Sequence, residues 1–114
     1  TTIQSKGSLE VLKILKEILG TDIKIKEEYK FTTNRLFRLD FYFEYNDRKI
    51  GIEYQGLQHF KPIKFFGGMR TYLKGKYWDM EKKDLCDHHD IELIYFYYDE
   101  TITKELILER LGIS

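Results

Sequence analysis

The spacing of apolar positions changes several times along the chain, and each change predicts an element. Leu9, Leu12, Ile14, Leu15, Ile18 and Leu19 recur near helical spacing behind Ser5-Lys6-Gly7-Ser8. Ser5 or Ser8 can cap such a helix by accepting a first-turn N–H, and Gly20 supplies its stop. Loose alternation follows and predicts a strand over residues 27–31, then a turn at Thr32-Thr33-Asn34. Residues 36–45 and 49–55 alternate more clearly and read as two strands joined at Asn46-Asp47. Residues 61–75 hold the sole proline, Pro62, and the pair Gly67-Gly68, and read as a long loop with at most a short helical turn. A helix is expected over 77–89, a fully buried apolar strand over 91–97, and a closing helix over 101–111 capped by Thr101 or Thr103. No repeat or low-complexity segment interrupts the pattern.

The order α-β-β-β-α-β-α predicts an α/β (α+β) fold with a four-stranded mixed sheet flanked by helices. Three strands would form an antiparallel meander. The fourth would join in parallel through a helical crossover. Side chains alternate along a strand, so Phe37, Leu39, Phe41 and Phe43 are expected on one face and Arg38, Asp40, Tyr42 and Glu44 on the other. In the next strand Ile50, Ile52 and Tyr54 share a face, and Glu53 and Gln55 point the opposite way. A hairpin would then bring Asp40 and Glu53 to one side of one sheet. Two carboxylates beside an apolar core are costly unless a cation or a proton holds them. Hard oxygen donors of this kind suit Mg²⁺ or Mn²⁺.

The 114 residues suggest one domain spanning 1–114, and a hydrophobic fraction of 42% is enough for a core without staples. The chain begins at Thr1, which suits a domain excised from a longer protein. Its single cysteine, Cys86, cannot form an internal disulfide. No apolar run approaches a membrane span, so a cytoplasmic protein without a membrane partner is expected. Lys plus Arg and Asp plus Glu both total 19. The charges are unevenly placed: Lys61, Lys64, Arg70, Lys74 and Lys76 occur with no acid among them, and aromatic Phe60, Phe65, Phe66 and Tyr72 lie between. That mixture suits nucleic acid, by phosphate attraction and base stacking. Zero net charge would then call for a small footprint, a homodimer or further domains.

Four segments carry a resemblance. They are Phe37-Arg38-Leu39-Asp40-Phe41-Tyr42-Phe43, then Gly51-Ile52-Glu53-Tyr54-Gln55-Gly56-Leu57-Gln58-His59-Phe60, then Asp79-Met80-Glu81-Lys82-Lys83-Asp84-Leu85-Cys86, and the amino-terminal Ser5-Lys6-Gly7. In this order they resemble the PD-(D/E)XK nuclease superfamily, in particular the branch of very-short-patch repair endonucleases and related phage and homing endonucleases. The resemblance implies a restriction-endonuclease-like core and a divalent-metal-dependent endonuclease that hydrolyses phosphodiester bonds in DNA. Asp40 and Glu53 would bind Mg²⁺ or Mn²⁺, with the Gln55 backbone carbonyl beside them. Glu10 or Glu17 would stand for the glutamate that the branch carries on its first helix, because alignment on Gly7 places Ser8 there. Gln55 occupies the position where the superfamily usually has lysine. Glutamine can hydrogen-bond but cannot exchange protons. His59 is then the implied base, oriented by Asp79, since a carboxylate on one imidazole nitrogen raises the basicity of the other. Arg38, Lys61, Lys64, Arg70, Lys74, Lys76 and Lys82 are the expected DNA contacts. The departures at Ser8 and Gln55 keep a competing expectation open, a non-catalytic nucleic-acid-binding module on a degenerate nuclease fold. His88 and His89 read as structural at a helix end.

Overall fold

A computed structural model describes residues 5–56 and 67–113. The elements run in the expected order: α1 (Lys6–Leu19), β1 (Lys26–Lys30), β2 (Arg38–Tyr45), β3 (Arg48–Gln55), α2 (Gly68–His88), β4 (Ile91–Tyr97) and α3 (Lys104–Leu111). The four strands lie in the order β1-β2-β3-β4. β1 pairs with β2 and β2 with β3 antiparallel, whereas β4 joins β3 in parallel after the α2 crossover. The fold is therefore α+β, with a four-stranded mixed sheet and three helices.

Local chemistry accounts for the boundaries. The Ser5 hydroxyl accepts the Ser8 N–H at 3.1 Å, so Ser5 caps α1, and Gly20 ends it with φ 73°. Asn46 and Asp47 both adopt positive φ, 48° and 62°. Their backbone twist matches that of the paired strands, which favours a tight hairpin between β2 and β3. Thr103 caps α3 by accepting the Leu106 N–H at 3.1 Å.

Two apolar layers hold the sheet. On one face α1 and α3 supply Val11, Leu15, Ile107 and Leu111, which pack on Phe41, Phe43, Ile50, Ile52 and Phe96. The other cluster lies under α2 and joins Phe31, Phe37, Leu39, Tyr42, Cys86 and Ile91. Each fully buried aliphatic or aromatic side chain contributes roughly 1.5–3 kcal/mol relative to exposure. The longer α1/α3 layer is accordingly the main core, and the α2 layer is the thinner one.

Three expectations are corrected. Helix α2 starts at Gly68, so much of the expected loop is helical. β4 is an edge strand in which only Ile91 and Phe96 are buried, because nothing pairs with its outer side among the described residues. The strict alternation expected for β2 also fails. Phe37 and Leu39 pack in the α2 layer, while Phe41 and Phe43 pack in the α1/α3 layer. The slip falls at Leu39-Asp40. The β2–β3 pairing stops at Phe41↔Ile52, and the β1–β2 ladder skips Asp40 opposite Glu28, whose φ is 50°. Gly51 makes the slip possible, since a Cβ there would lie 2.6 Å from Leu39 Cδ1.

Candidate functional site

The break in the ladder is where the candidate site begins. Released from pairing, Asp40 turns its carboxylate to accept the Tyr54 backbone N–H at 2.7 Å. The side chain thus replaces a ladder acceptor and ties the end of β2 to the end of β3. Glu53, one residue before Tyr54, is buried at 8% exposure on the central strand β3. At Glu53 the strand pairs with β4 through Tyr95, while the pairing with β2 has already ended at Ile52.

Helix α2 closes over this point. Lys82 Nζ donates to Glu53 Oε1 at 2.7 Å, joining residues 29 apart in sequence. Lys82, Asp79 and Trp78 from α2, with Phe37, Arg38, Leu39 and Asp40 from the β2 end, line a cleft of 230 Å³. Trp78 packs on Phe37 at the cleft wall, ring centroids 4.7 Å apart. Glu28 also lines the cleft and accepts from Arg38 at 3.4 Å.

Electrostatics follow from this crowding. Burial pushes the Glu53 carboxyl up to about 8, and the nearby Asp40 charge adds to the rise. The Lys82 ammonium opposes both, and Asp79 adds a smaller upward push. A buried carboxylate beside a second one needs a cation or a proton. The Lys82 ammonium pairs with Glu53. Asp40 and Glu53 are hard oxygen donors of the kind that could hold a divalent cation. Among the described residues, no group of three or more His, Cys, Asp or Glu side chains converges as a ready metal cage.

That result bears on the other expected ligands. Glu10 and Glu17 are exposed on α1, whose buried side packs on the opposite face of the sheet, so neither joins Asp40 and Glu53. The Gln55 carbonyl, the expected backbone ligand, accepts the Tyr98 N–H at 3.0 Å. The Gln55 residue itself is buried. Burial, with Glu53 nearby, pushes the Cys86 thiol up to about 12, so Cys86 is an inert core residue. His89 is a tether: its Nε2 lies 2.6 Å from the Thr33 hydroxyl, and its ring packs near Phe31.

His59, Lys61 and Lys64 lie outside the described residues. Of the remaining basic run, Arg70, Lys74 and Lys76 stand on α2. Residues two apart on a helix are turned by about 200°. Arg70 and Lys74 thus fall on one flank, and Tyr72 and Lys76 on the other, with the Lys76 ammonium 5.5 Å from the Tyr72 ring. The helix thus divides residues expected in one loop.

Sequence reasoning missed Glu28 and Trp78, and it read Lys82 as a phosphate contact or a surface ion pair, not as the partner of Glu53. A signal for Lys82 was present in Asp79-x-x-Lys82, whose spacing puts both side chains on one side of a helix. No family model, curated protein or solved structure matches this chain.

Proposed function

We propose that this chain is a divalent-metal-dependent endonuclease acting on DNA, built on a restriction-endonuclease-like core of the PD-(D/E)XK type. The observation that carries the reading is that Asp40, Asp79 and Lys82 line one cleft and Lys82 holds Glu53 beside it, so that three elements meet there. A structural ion pair alone accounts for Glu53 and Lys82. The Asp40 charge lies near enough to Glu53 to raise its pKa further, so two carboxylates come together at this point.

In this reading Asp40 and Glu53 hold Mg²⁺ or Mn²⁺. When bound, the metal supplies Lewis-acid polarisation of the scissile phosphate and a more acidic water. The chain's own residues do the rest. The Asp40 bond to the Tyr54 N–H fixes the carboxylate before any ligand arrives, so little reorganisation is left for the reaction. Lys82 keeps Glu53 oriented and brings positive charge to the cleft wall, where it offsets the phosphate charge. Arg38 lines the same cleft and is half exposed, as a phosphate contact requires. His59 remains the proposed proton acceptor, with Asp79 as the residue that orients it. Lys74 on one flank and Lys76 on the other are contacts for different stretches of backbone, since one strand passes one flank.

The Lys82–Glu53 bond favours a second reading, a nucleic-acid-binding module without catalysis. An internal ammonium already neutralises the buried carboxylate. A nicking assay on supercoiled and branched DNA, with Mg²⁺ or Mn²⁺, separates the two. The nuclease reading expects metal-dependent nicks that vanish in Asp40→Asn and Glu53→Gln. Retained DNA binding with no nicks under either metal would establish the binding module instead.

A further inference from the structure

The amino-terminal half of α2 carries an apolar stripe that the fold does not use. Met69, Leu73, Tyr77 and Met80 are 57%, 57%, 60% and 68% exposed. Their spacing of four, four and three residues places them within one quarter of the helix circumference. The stripe lies away from the core: Trp78, Lys82 and Cys86, which face the sheet, fall on the other side of the same helix. It runs about 16 Å at 1.5 Å per residue. A single exposed leucine is ordinary, but a continuous row of four large side chains marks a contact surface.

The charges beside the stripe identify the occupant. Arg70 and Glu81 are eleven residues apart, about three turns, so they stand on the same flank, next to Tyr77. The flank is basic at its amino-terminal end and acidic at its carboxyl-terminal end. Such a helix is complementary to itself when reversed. In an antiparallel two-fold pair centred near Gly75, Met69 meets Met80 of the second copy and Leu73 meets Tyr77. Arg70 then meets Glu81, and symmetry makes each contact twice. Lys76 opposes the pairing, because it lies near the axis and meets its own copy there.

We infer that this face of α2 is a homodimer interface, an isologous antiparallel helix pair whose register is set by Arg70 and Glu81. The inference does not rest on the nuclease reading. The contact is short, so the dimer is weak and concentration-dependent.

Sedimentation equilibrium over a wide concentration range tests it. Wild type should pass from monomer to dimer. Leu73→Glu should weaken association by tenfold or more, about the effect of placing two like charges in the seam. Circular dichroism should show its helix content and melting unchanged, because Leu73 is exposed. Arg70→Glu and Glu81→Arg should each weaken the dimer, and the double variant Arg70→Glu/Glu81→Arg should restore it. Lys76→Met should tighten it. A protein that stays monomeric throughout overturns the inference, as does a dimer indifferent to Leu73→Glu or a double variant as weak as either single one. A Leu73→Glu protein that is monomeric like wild type but melts earlier would show that the chain covers the stripe itself.

Discussion

Lys82 on α2 holds Glu53 on the central strand β3 at 2.7 Å, and this bond joins the thinner layer of the molecule to its candidate site. The two side chains are mostly withdrawn from solvent, 21% and 11% exposed. Screening is therefore weak, and breaking the pair leaves a buried carboxyl with a neighbouring like charge. Such a group can take up a proton and so limit the damage.

Lys82→Met should show this limit. Without the ammonium, the groups that raise the Glu53 pKa act unopposed. At pH 5 the carboxyl is neutral and the loss is small, about 1 kcal/mol for one hydrogen bond. At pH 9 the loss should grow toward the roughly 3–5 kcal/mol of a broken buried pair. Urea denaturation at the two pH values checks it; equal losses would place Glu53 in water.

Glu53→Gln addresses the same residue from the other side. The folded carboxyl is pushed up to about 8 from an ordinary value of 4.5. Between those values the unfolded chain has released a proton that the folded chain retains. Stability from Glu53 is thus fully present below pH 4.5 and is lost as pH rises through 8. Glutamine does not titrate. The variant should gain on wild type across this window, by a few kcal/mol on the order of magnitude that such a shift implies. A difference independent of pH would remove the electrostatic basis of the site.

Much of the fold was legible because β3 and residues 41–45 of β2 alternate, and because Ser5, Gly20 and Asn46-Asp47 punctuate the chain where the backbone requires it. The start of α2 was not. Gly67 precedes the helix with φ 96° and offers no side-chain cap, and Gly75 sits inside it. The slip at Asp40 was also hidden, since apolar residues continue on both sides of it and either face would accept them. Alternation pointed to Asp40 and Glu53, but it did not foresee the break in pairing that turns Asp40 toward the Tyr54 N–H. Lys82 on Glu53 was not, because the contact depends on how the crossover helix lies across the sheet. The edge position of β4 escaped for a similar reason: apolar content alone does not separate an edge strand from a central one.

Asp40→Asn and Asp40→Ala should differ. Asparagine keeps an oxygen that can accept the Tyr54 N–H, so the fold should hold to within about 1 kcal/mol. Alanine removes that acceptor and leaves a donor unsatisfied, at a cost of about 1–3 kcal/mol. Both should abolish cleavage, and Asp40→Asn should bind DNA as well as wild type or better, since it removes negative charge near phosphate. Filter binding and nicking on the same preparations check it. Equal loss of binding and cleavage in Asp40→Asn would detach Asp40 from the chemistry.

Mg²⁺ should stabilise the folded protein, and more so at high pH. The metal competes with the proton that the Glu53 carboxyl retains up to about 8. Saturating Mg²⁺ should raise the melting temperature of wild type and leave Asp40→Asn and Glu53→Gln unmoved. Binding should release protons near pH 7, measurable by calorimetry in buffers of different ionisation enthalpy. An equal rise in all three proteins would show that the ion binds elsewhere.

The pH dependence of cleavage then separates Glu53 from His59. With limiting Mg²⁺, the rate should climb with pH through the Glu53 value of about 8, because the protonated carboxyl does not hold the metal. With saturating Mg²⁺ that limb should move down, since the metal displaces the proton. What remains should follow a group near 6.5, the ordinary histidine value. His59→Ala should remove this second limb and lower the rate by about 10² to 10⁴, the usual size of acid–base catalysis. Asp79→Asn should lose part of that rate while Mg²⁺ still raises the melting temperature, because Asp40 and Glu53 are intact. A His59→Ala enzyme with an unchanged limb near 6.5 would assign the titration to another group. The Asp79 carboxylate would then act on the cleft wall beside Lys82 and not through an imidazole.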